Sequence, residues 1–162
     1  MNLNLARVGA GAGSLSAVGL ILLALHEGFS PTPYKDSGGV WTDGFGNTHQ
    51  VVPGKKVSVP EALERLNENA SVAGKAVSRC ISAPMTQNEY DAFVSFTYNV
   101  GEGAFCKSTM AKKFNAGDKV GACNEFLRWT FVAGMDCKNK ANNCHGIVER
   151  RLKEKNLCLG YY

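Results

Sequence analysis

From Val8 to Leu25 the chain is apolar or small and carries no charge, and it then changes to Gly, Pro, Thr and aromatic residues as far as Gly54. Ser16 is a natural N-cap inside the first run and Gly28 a natural C-cap after it. The residues between, Ala17 to His26, therefore predict a short and strongly apolar core helix. In the second stretch Val40, Trp41 and Thr42 are the β-prone centre, so short strands joined by tight turns are expected there. Helical spacing returns from Pro60 to about Val77, with Ser58 as cap and Ala62, Leu63, Leu66, Ala70 and Ala73 along one side. This helix reads as the connector between two lobes.

After Pro84 the pattern is helical throughout. Thr86 and Glu89 form a capping-box signature, and Tyr90, Phe93, Val94 and Thr97 follow at helical spacing before a break at Gly101/Gly103. Ser108 to Asn115, Asp118 to Trp129, and Gly146 to about Cys158 make three more helices. With no repeat or flexible linker, the pattern predicts one α+β domain, a small β-containing lobe beside a larger helical one.

A chain of 162 residues is long enough to bury a self-sufficient core. The net charge of +4 favours anionic partners, the bacterial envelope among them. No zinc-finger spacing or RNA-binding aromatic run points to nucleic acid. Arg150, Arg151, Lys153 and Lys155 form the one basic cluster, and such a cluster usually means a solvated helix face. Six cysteines suit an oxidising compartment. Cys137 and Cys144 bracket a polar stretch and are the first pair expected to form a local staple, although the full set allows many pairings. No CxxC pair occurs, and His26, His49 and His145 do not recur at ligand spacing, so neither metal nor other cofactor is expected.

The uncharged run from Val8 to Leu25 also approaches membrane-span length. Gly9, Gly11, Gly13, Ser14, Ser16 and Gly19 dilute it, so its hold on hydrocarbon would be weak. A cleaved signal peptide, a permanent anchor and a buried helix all compete as readings. Cleavage is disfavoured, because it would strip the helix that presents Glu27.

Glu27 and Asp36 are the candidate chemical pair. Glycoside hydrolysis needs one carboxylic acid that keeps its proton for the leaving oxygen and a second carboxylate for the oxocarbenium-like charge or the attacking water. Glu27 ends an apolar helix, where partial burial favours the proton-carrying form. Asp36 stands in a polar turn with Lys35, Ser37 and Gly38, which favours the ionised form. Thr42, on a strand six residues further on, has a hydroxyl able to hold a water. Taken singly, an Asp in a turn or a Thr on a strand is usually structural; the force comes from the combination.

Those residues lie in the runs His26-Glu27-Gly28-Phe29, Pro33-Tyr34-Lys35-Asp36 and Gly39-Val40-Trp41-Thr42-Asp43-Gly44-Phe45-Gly46-Asn47-Thr48. This segment closely resembles the active-site segment of phage-type lysozymes, the muramidase family that includes the T-even phage enzyme. Later stretches agree, among them Pro84-Met85-Thr86-Gln87, Tyr98-Asn99-Val100-Gly101, Phe126-Leu127-Arg128-Trp129 and Gly146-Ile147-Val148-Glu149-Arg150-Arg151. The resemblance extends from about Ser14 onward, and several ordered motifs make it specific.

It implies a monomeric endolysin of lysozyme-like fold that cuts peptidoglycan between N-acetylmuramic acid and N-acetylglucosamine. Glu27 would be the acid, Asp36 the base or charge stabiliser, and Thr42 the water-orienting group. Where some members carry a His, this chain has Asn47, so a histidine's role does not transfer. The Arg150/Arg151 pair resembles a basic stretch near the catalytic Glu, without revealing which arginine touches it.

A subset of the family begins with a signal-arrest-release segment, an uncleaved anchor that later slips from the inner membrane into the periplasm. Residues 1–25 resemble one and would also supply the first helix of a catalytic domain spanning 14–162. An anchored, inactive precursor at the host inner membrane, then an active periplasmic form, is the implied itinerary. No cysteine precedes Cys80, so thiol exchange at the catalytic glutamate is not expected. A lytic transglycosylase and a non-catalytic peptidoglycan-binding protein are the rival readings.

Overall fold

The computed structural model describes residues 13–161 and the backbone of Arg7–Val8. Residues 1–6 and 9–12, with most of the candidate anchor's first half, lie outside the described residues. In chain order the elements are β1 (Arg7–Val8), α1 (Ala17–Glu27), β2 (Ser30–Lys35), β3 (Trp41–Gly44), α2 (Val59–Cys80), β4 (Met85–Thr86), α3 (Gln87–Val100), α4 (Glu102–Lys107), α5 (Thr109–Asn115), α6 (Lys119–Asn124), β5 (Phe131–Val132), β6 (Met135–Asp136) and α7 (Gly146–Cys158). Each strand pair is a separate antiparallel two-stranded sheet, so the fold is the α+β type expected.

The helix boundaries follow the capping residues. Ser16 caps α1 through its hydroxyl, which accepts from Gly19 N at 3.1 Å. Gly28 ends the helix at φ 72°, ψ 160°, a backbone conformation that is essentially glycine's alone. That kink turns the chain from α1 into the β2–β3 hairpin. Ser58 caps α2, and Thr86 and Glu89 make the reciprocal capping box at the start of α3.

The core is organised around α3. Every residue from Glu89 to Thr97 is buried, because α1, α2, α4 and α7 surround the helix. Its aromatic side packs Phe93 edge-on against Phe114 at 5.0 Å, and Phe96 edge-on against Phe126 and Trp129 at 5.3 and 5.1 Å. Rings packed in this way add about 0.5–1.5 kcal/mol each beyond their buried area. On α2, Ala62, Leu66, Ala70 and Ala73 are buried at helical spacing as the pattern requires.

Three disulfides secure the helical lobe: Cys80–Cys106 joins α2 to α4, Cys123–Cys158 joins α6 to α7, and Cys137–Cys144 staples the polar loop before α7. The last is the local pair expected from the sequence.

Several expectations need correction. The break after α3 falls at Gly101 alone, and Gly103 sits inside α4, whose amides continue from the Gly101 carbonyl. The helix expected from Asp118 to Trp129 stops at Asn124 and tightens into a 3-10 turn over Glu125–Arg128. There the buried Glu125 meets Lys113 at 2.6 Å and Arg128 at 3.2 Å. Val40 closes the hairpin turn rather than lying within a strand.

The start of α1 is fastened to α3 by polar side chains. Asp91 is buried and accepts from the backbone and hydroxyl of Ser16. Gln87 Nε2 donates to the Ser14 carbonyl at 2.9 Å, and the Tyr90 hydroxyl to that of Gly13 at 2.6 Å. Burial pushes the Asp91 carboxyl up, and the Ser16 and Gln87 hydrogen bonds oppose that shift. Gly19 makes the close approach feasible, since a Cβ there would lie 2.7 Å from Asp91 Cγ and 2.8 Å from Leu15 Cδ1. A Gly to Ala change inside a helix ordinarily stabilises by about 1 kcal/mol. Gly19→Ala should instead destabilise by about 1–3 kcal/mol, read as a lower urea midpoint.

Candidate active site

Glu27 occupies the last turn of α1 and is partly exposed. Its Oε1 accepts from Arg150 Nη1 at 2.9 Å across a sequence separation of 123 residues. The ion pair fixes one carboxyl oxygen and leaves Oε2 on the hairpin side, 3.8 Å from where a Cβ on Gly46 would stand. A proton carried by Glu27 for donation therefore belongs on Oε2.

Arg150 and Arg151 do not form the solvated face that their sequence suggested. Both are buried, with only 5% and 2% exposure, because every guanidinium edge has a partner. Arg150 gives Nε to Glu154 Oε1 at 3.1 Å and Nη2 to the Ser95 carbonyl at 3.1 Å. Arg151 gives Nε to the Trp129 carbonyl at 2.9 Å, Nη1 to Glu154 Oε2 at 2.7 Å and Nη2 to Asn99 Oδ1. Of the cluster, Lys153 alone is clearly exposed to solvent beside them, with Lys155 half-buried.

Asp36 stands in the turn between β2 and β3. Its Oδ1 accepts from the amides of Gly38 and Val40, both at 2.9 Å, so that oxygen is committed to its own turn. Thr42 lies on β3 opposite Tyr34, with Lys35 paired to Trp41. Thr42 thus stands on the strand that follows the Asp36 turn. Thr42 is buried, and its hydroxyl donates to the Val40 carbonyl at 3.2 Å. With its single proton so committed, that oxygen has only lone pairs to offer.

The hairpin is locked against α2. Asn47 donates to Asp43 Oδ1 at 2.9 Å, and Arg65 bonds Asp43 Oδ2 at 3.0 Å and Glu61 at 2.7 Å. Asn47 thus serves a structural bond within the hairpin. Phe29 and Phe45 pack at 5.2 Å and tie the hairpin's base to the end of α1.

Among the described residues no hydrogen bond or ion pair directly links Glu27 with Asp36 or Thr42. They are related through the frame: Glu27 at the helix end, and the other two on the hairpin that the helix leads into. Gly46, Thr48, His49, Asn69, Val72 and Tyr98 line a depression of about 290 Å³ on that frame. Burial raises the Tyr98 phenol's pKa, the Glu27 charge raises it further, and Arg150 opposes both, so Tyr98 sits within electrostatic reach of the pair. A larger cavity of about 540 Å³, between residues 13–15 and α2, has no carboxylate on its walls and so offers no acid–base pair.

Sequence reasoning missed Tyr98 and left open the choice between Arg150 and Arg151. Burial of an arginine would have been the signal, and it is absent from a run that reads as charged. Among the described residues, Cys80, Glu102 and Cys106 cluster as metal-type donors, but their two thiols are joined in a disulfide.

The family described as Phage lysozyme matches residues 24–154. The chain is 35% identical over 143 residues to the endolysin of Acyrthosiphon pisum secondary endosymbiont phage 1, covering 88% of this chain and 96% of that one. It is 35% identical over 134 residues to the SAR-endolysin of Enterobacteria phage PA-2, covering 82% of this chain and 77% of the relative. The solved endolysin from Escherichia coli O157:H7 phage FAHEc1 is similar with a TM-score of 0.80 at 34% identity, over 92% of this chain and 95% of that one.

His26, next to Glu27, provides a test of this electrostatic environment. Burial and the charges of Arg150, Lys153 and Arg151 lower its pKa from 6.5 to about 4. Between those values the unfolded chain binds the extra proton, so the contribution to stability is complete above 6.5 and lost as pH falls through that window. His26 is only half-buried, which discounts the effect to about 1–2 kcal/mol. In urea titrations at about pH 7.5 and about pH 4.5, His26→Gln should lose less stability on acidification than the wild type, by that amount.

Proposed function

The chain belongs to the phage lysozyme family, a cell-wall-degrading lysozyme of glycosidase type, and on that premise we propose that it hydrolyses the β-1,4 bond between N-acetylmuramic acid and N-acetylglucosamine in peptidoglycan. The observation that carries this reading is the held but divided carboxyl of Glu27, with Oε1 on Arg150 and Oε2 toward the hairpin.

Glu27 would protonate the leaving glycosidic oxygen from Oε2. Asp36 and Thr42 would hold the attacking water between them. Thr42, whose own proton goes to Val40, accepts one hydrogen of that water, and Asp36 accepts the other as general base. The water's lone pair is then free for the anomeric carbon. One sugar face meets the acid and the other meets the water, and the glycosidic bond breaks as the new carbon–oxygen bond forms.

For delivery, we propose that residues 1–25 act as a signal-arrest-release anchor in the host inner membrane and that 14–162 is the catalytic domain, a monomer released to the periplasm. Similarity to SAR-endolysins supports this. So does the dual use of the segment: its second half forms α1, the helix that ends at Glu27. While that half is in a bilayer, Glu27 cannot reach Arg150. Among the described residues no helix is long and apolar enough to cross a membrane.

Purified peptidoglycan digested by the wild type should yield muropeptides with reducing ends by mass spectrometry, whereas anhydro ends would mark a transglycosylase. Glu27→Gln should lose about 10²–10⁴-fold in rate, and unchanged activity would remove Glu27 from the acid's role. Depolarising the inner membrane should convert an anchored, inactive chain into a soluble, lytic one. Equal lysis by both forms would exclude a restraining anchor.

A further inference from the structure

Glu154 lies on α7, is only 2% exposed, and has no place among the groups that would touch substrate. Its two carboxyl oxygens receive three side-chain donors: Ser95 Oγ at 2.7 Å and Arg150 Nε at 3.1 Å on Oε1, and Arg151 Nη1 at 2.7 Å on Oε2. It is therefore a buried anion that binds the same guanidinium as Glu27, on the opposite edge.

We infer that Glu154 is a positioning residue for the acid: it grips the inner edge of Arg150 and offsets the arginine's charge, so that Glu27 can keep a proton while still being held in place. The inference rests on Glu27 being the general acid.

The charge count gives the reason. With Glu27 protonated, the cluster holds two guanidinium cations against the single anion of Glu154. Without Glu154, two buried cations would face Glu27 alone, and the cheapest compensation would be for Glu27 to surrender its proton. An arginine alone beside the acid would orient it and disarm it. Glu154 separates the two effects, keeping the orientation and offsetting one of the two positive charges.

The geometry favours this over a purely mechanical tie between α7 and α3. Ser95 already joins α3 to α7 twice, through its carbonyl on Arg150 and its hydroxyl on Glu154. Arg151 adds Asn99 on α3 and the Trp129 carbonyl. The packing would be held by those bonds with an uncharged acceptor as well. What only a carboxylate supplies is the negative charge. The other titratable groups facing the cluster are His26 from α1, Tyr98 from α3, and Lys153 on the exposed side of α7. None of them provides an anion near neutral pH.

The test is the pH dependence of kcat/KM on purified peptidoglycan for the wild type, Glu154→Gln and Arg151→Met, with Glu27→Gln alongside. Glu154→Gln should move the alkaline limb to lower pH by about 0.5–1 unit, equivalent to about a 3–10-fold loss above the wild-type limb, with much of the activity regained at lower pH. Arg151→Met, which leaves Glu154 to Arg150 alone, should move the limb to higher pH. That opposite sign is beyond a generic packing defect, and it carries the test if Glu154→Gln does not fold. Limbs that stay in place in Arg151→Met and in any folded Glu154→Gln, with activity uniformly scaled, would overturn the inference while inactive Glu27→Gln upholds the acid. A fully active Glu27→Gln would overturn the acid assignment itself, and the inference with it.

Discussion

The structure depends on a constraint set by burial: a guanidinium taken out of water must find a partner on each edge. Arg150 meets it by reaching three elements at once, Glu27 at the end of α1, the Ser95 carbonyl on α3 and Glu154 on its own helix. Breaking one buried pair of this sort leaves an uncompensated charge and costs about 3–5 kcal/mol. The demand of Arg150 for partners therefore ties the end of α1 to α7. It holds the candidate acid in place through the stability of the helical lobe rather than through the mobility of a surface side chain.

The second carboxylate is placed by a different principle. Asp36 is held by two amides of its own turn, a local arrangement that needs no distant partner. Its turn becomes relevant only because the hairpin is pinned, at Asp43 by Arg65 and at its base by the Phe29–Phe45 contact. Glu27 belongs to the helical lobe and Asp36 to the small lobe, and Gly28 turns the chain from one into the other.

The beginning of the chain shows the same economy. Residues 13–16 are fastened to α3 by Gln87, Tyr90 and Asp91 through hydrogen bonds to the Gly13 and Ser14 carbonyls and to Ser16. Those bonds give partners to two carbonyls and one amide of the segment that leads into α1. At Gly19 the absence of a side chain lets α1 approach Asp91 closely.

Much was legible in the order of residues. Caps at Ser16, Ser58 and Thr86 mark helix starts because capping is a local exchange of hydrogen bonds between residues three apart. Glycine at 28 marks the turn into the hairpin because only it accepts that backbone. The Cys137–Cys144 staple was readable because its loop is short. Glu27, Asp36 and Thr42 were readable as a candidate motif. The partnership of Glu27 with Arg150 was not, because 123 residues separate them and nothing local distinguishes a buried arginine from a solvated one. Only packing α7 against α3 and α1 removed water from Arg150 and Arg151, and desolvation turned a basic stretch of helix into the partner of the Glu27 carboxyl.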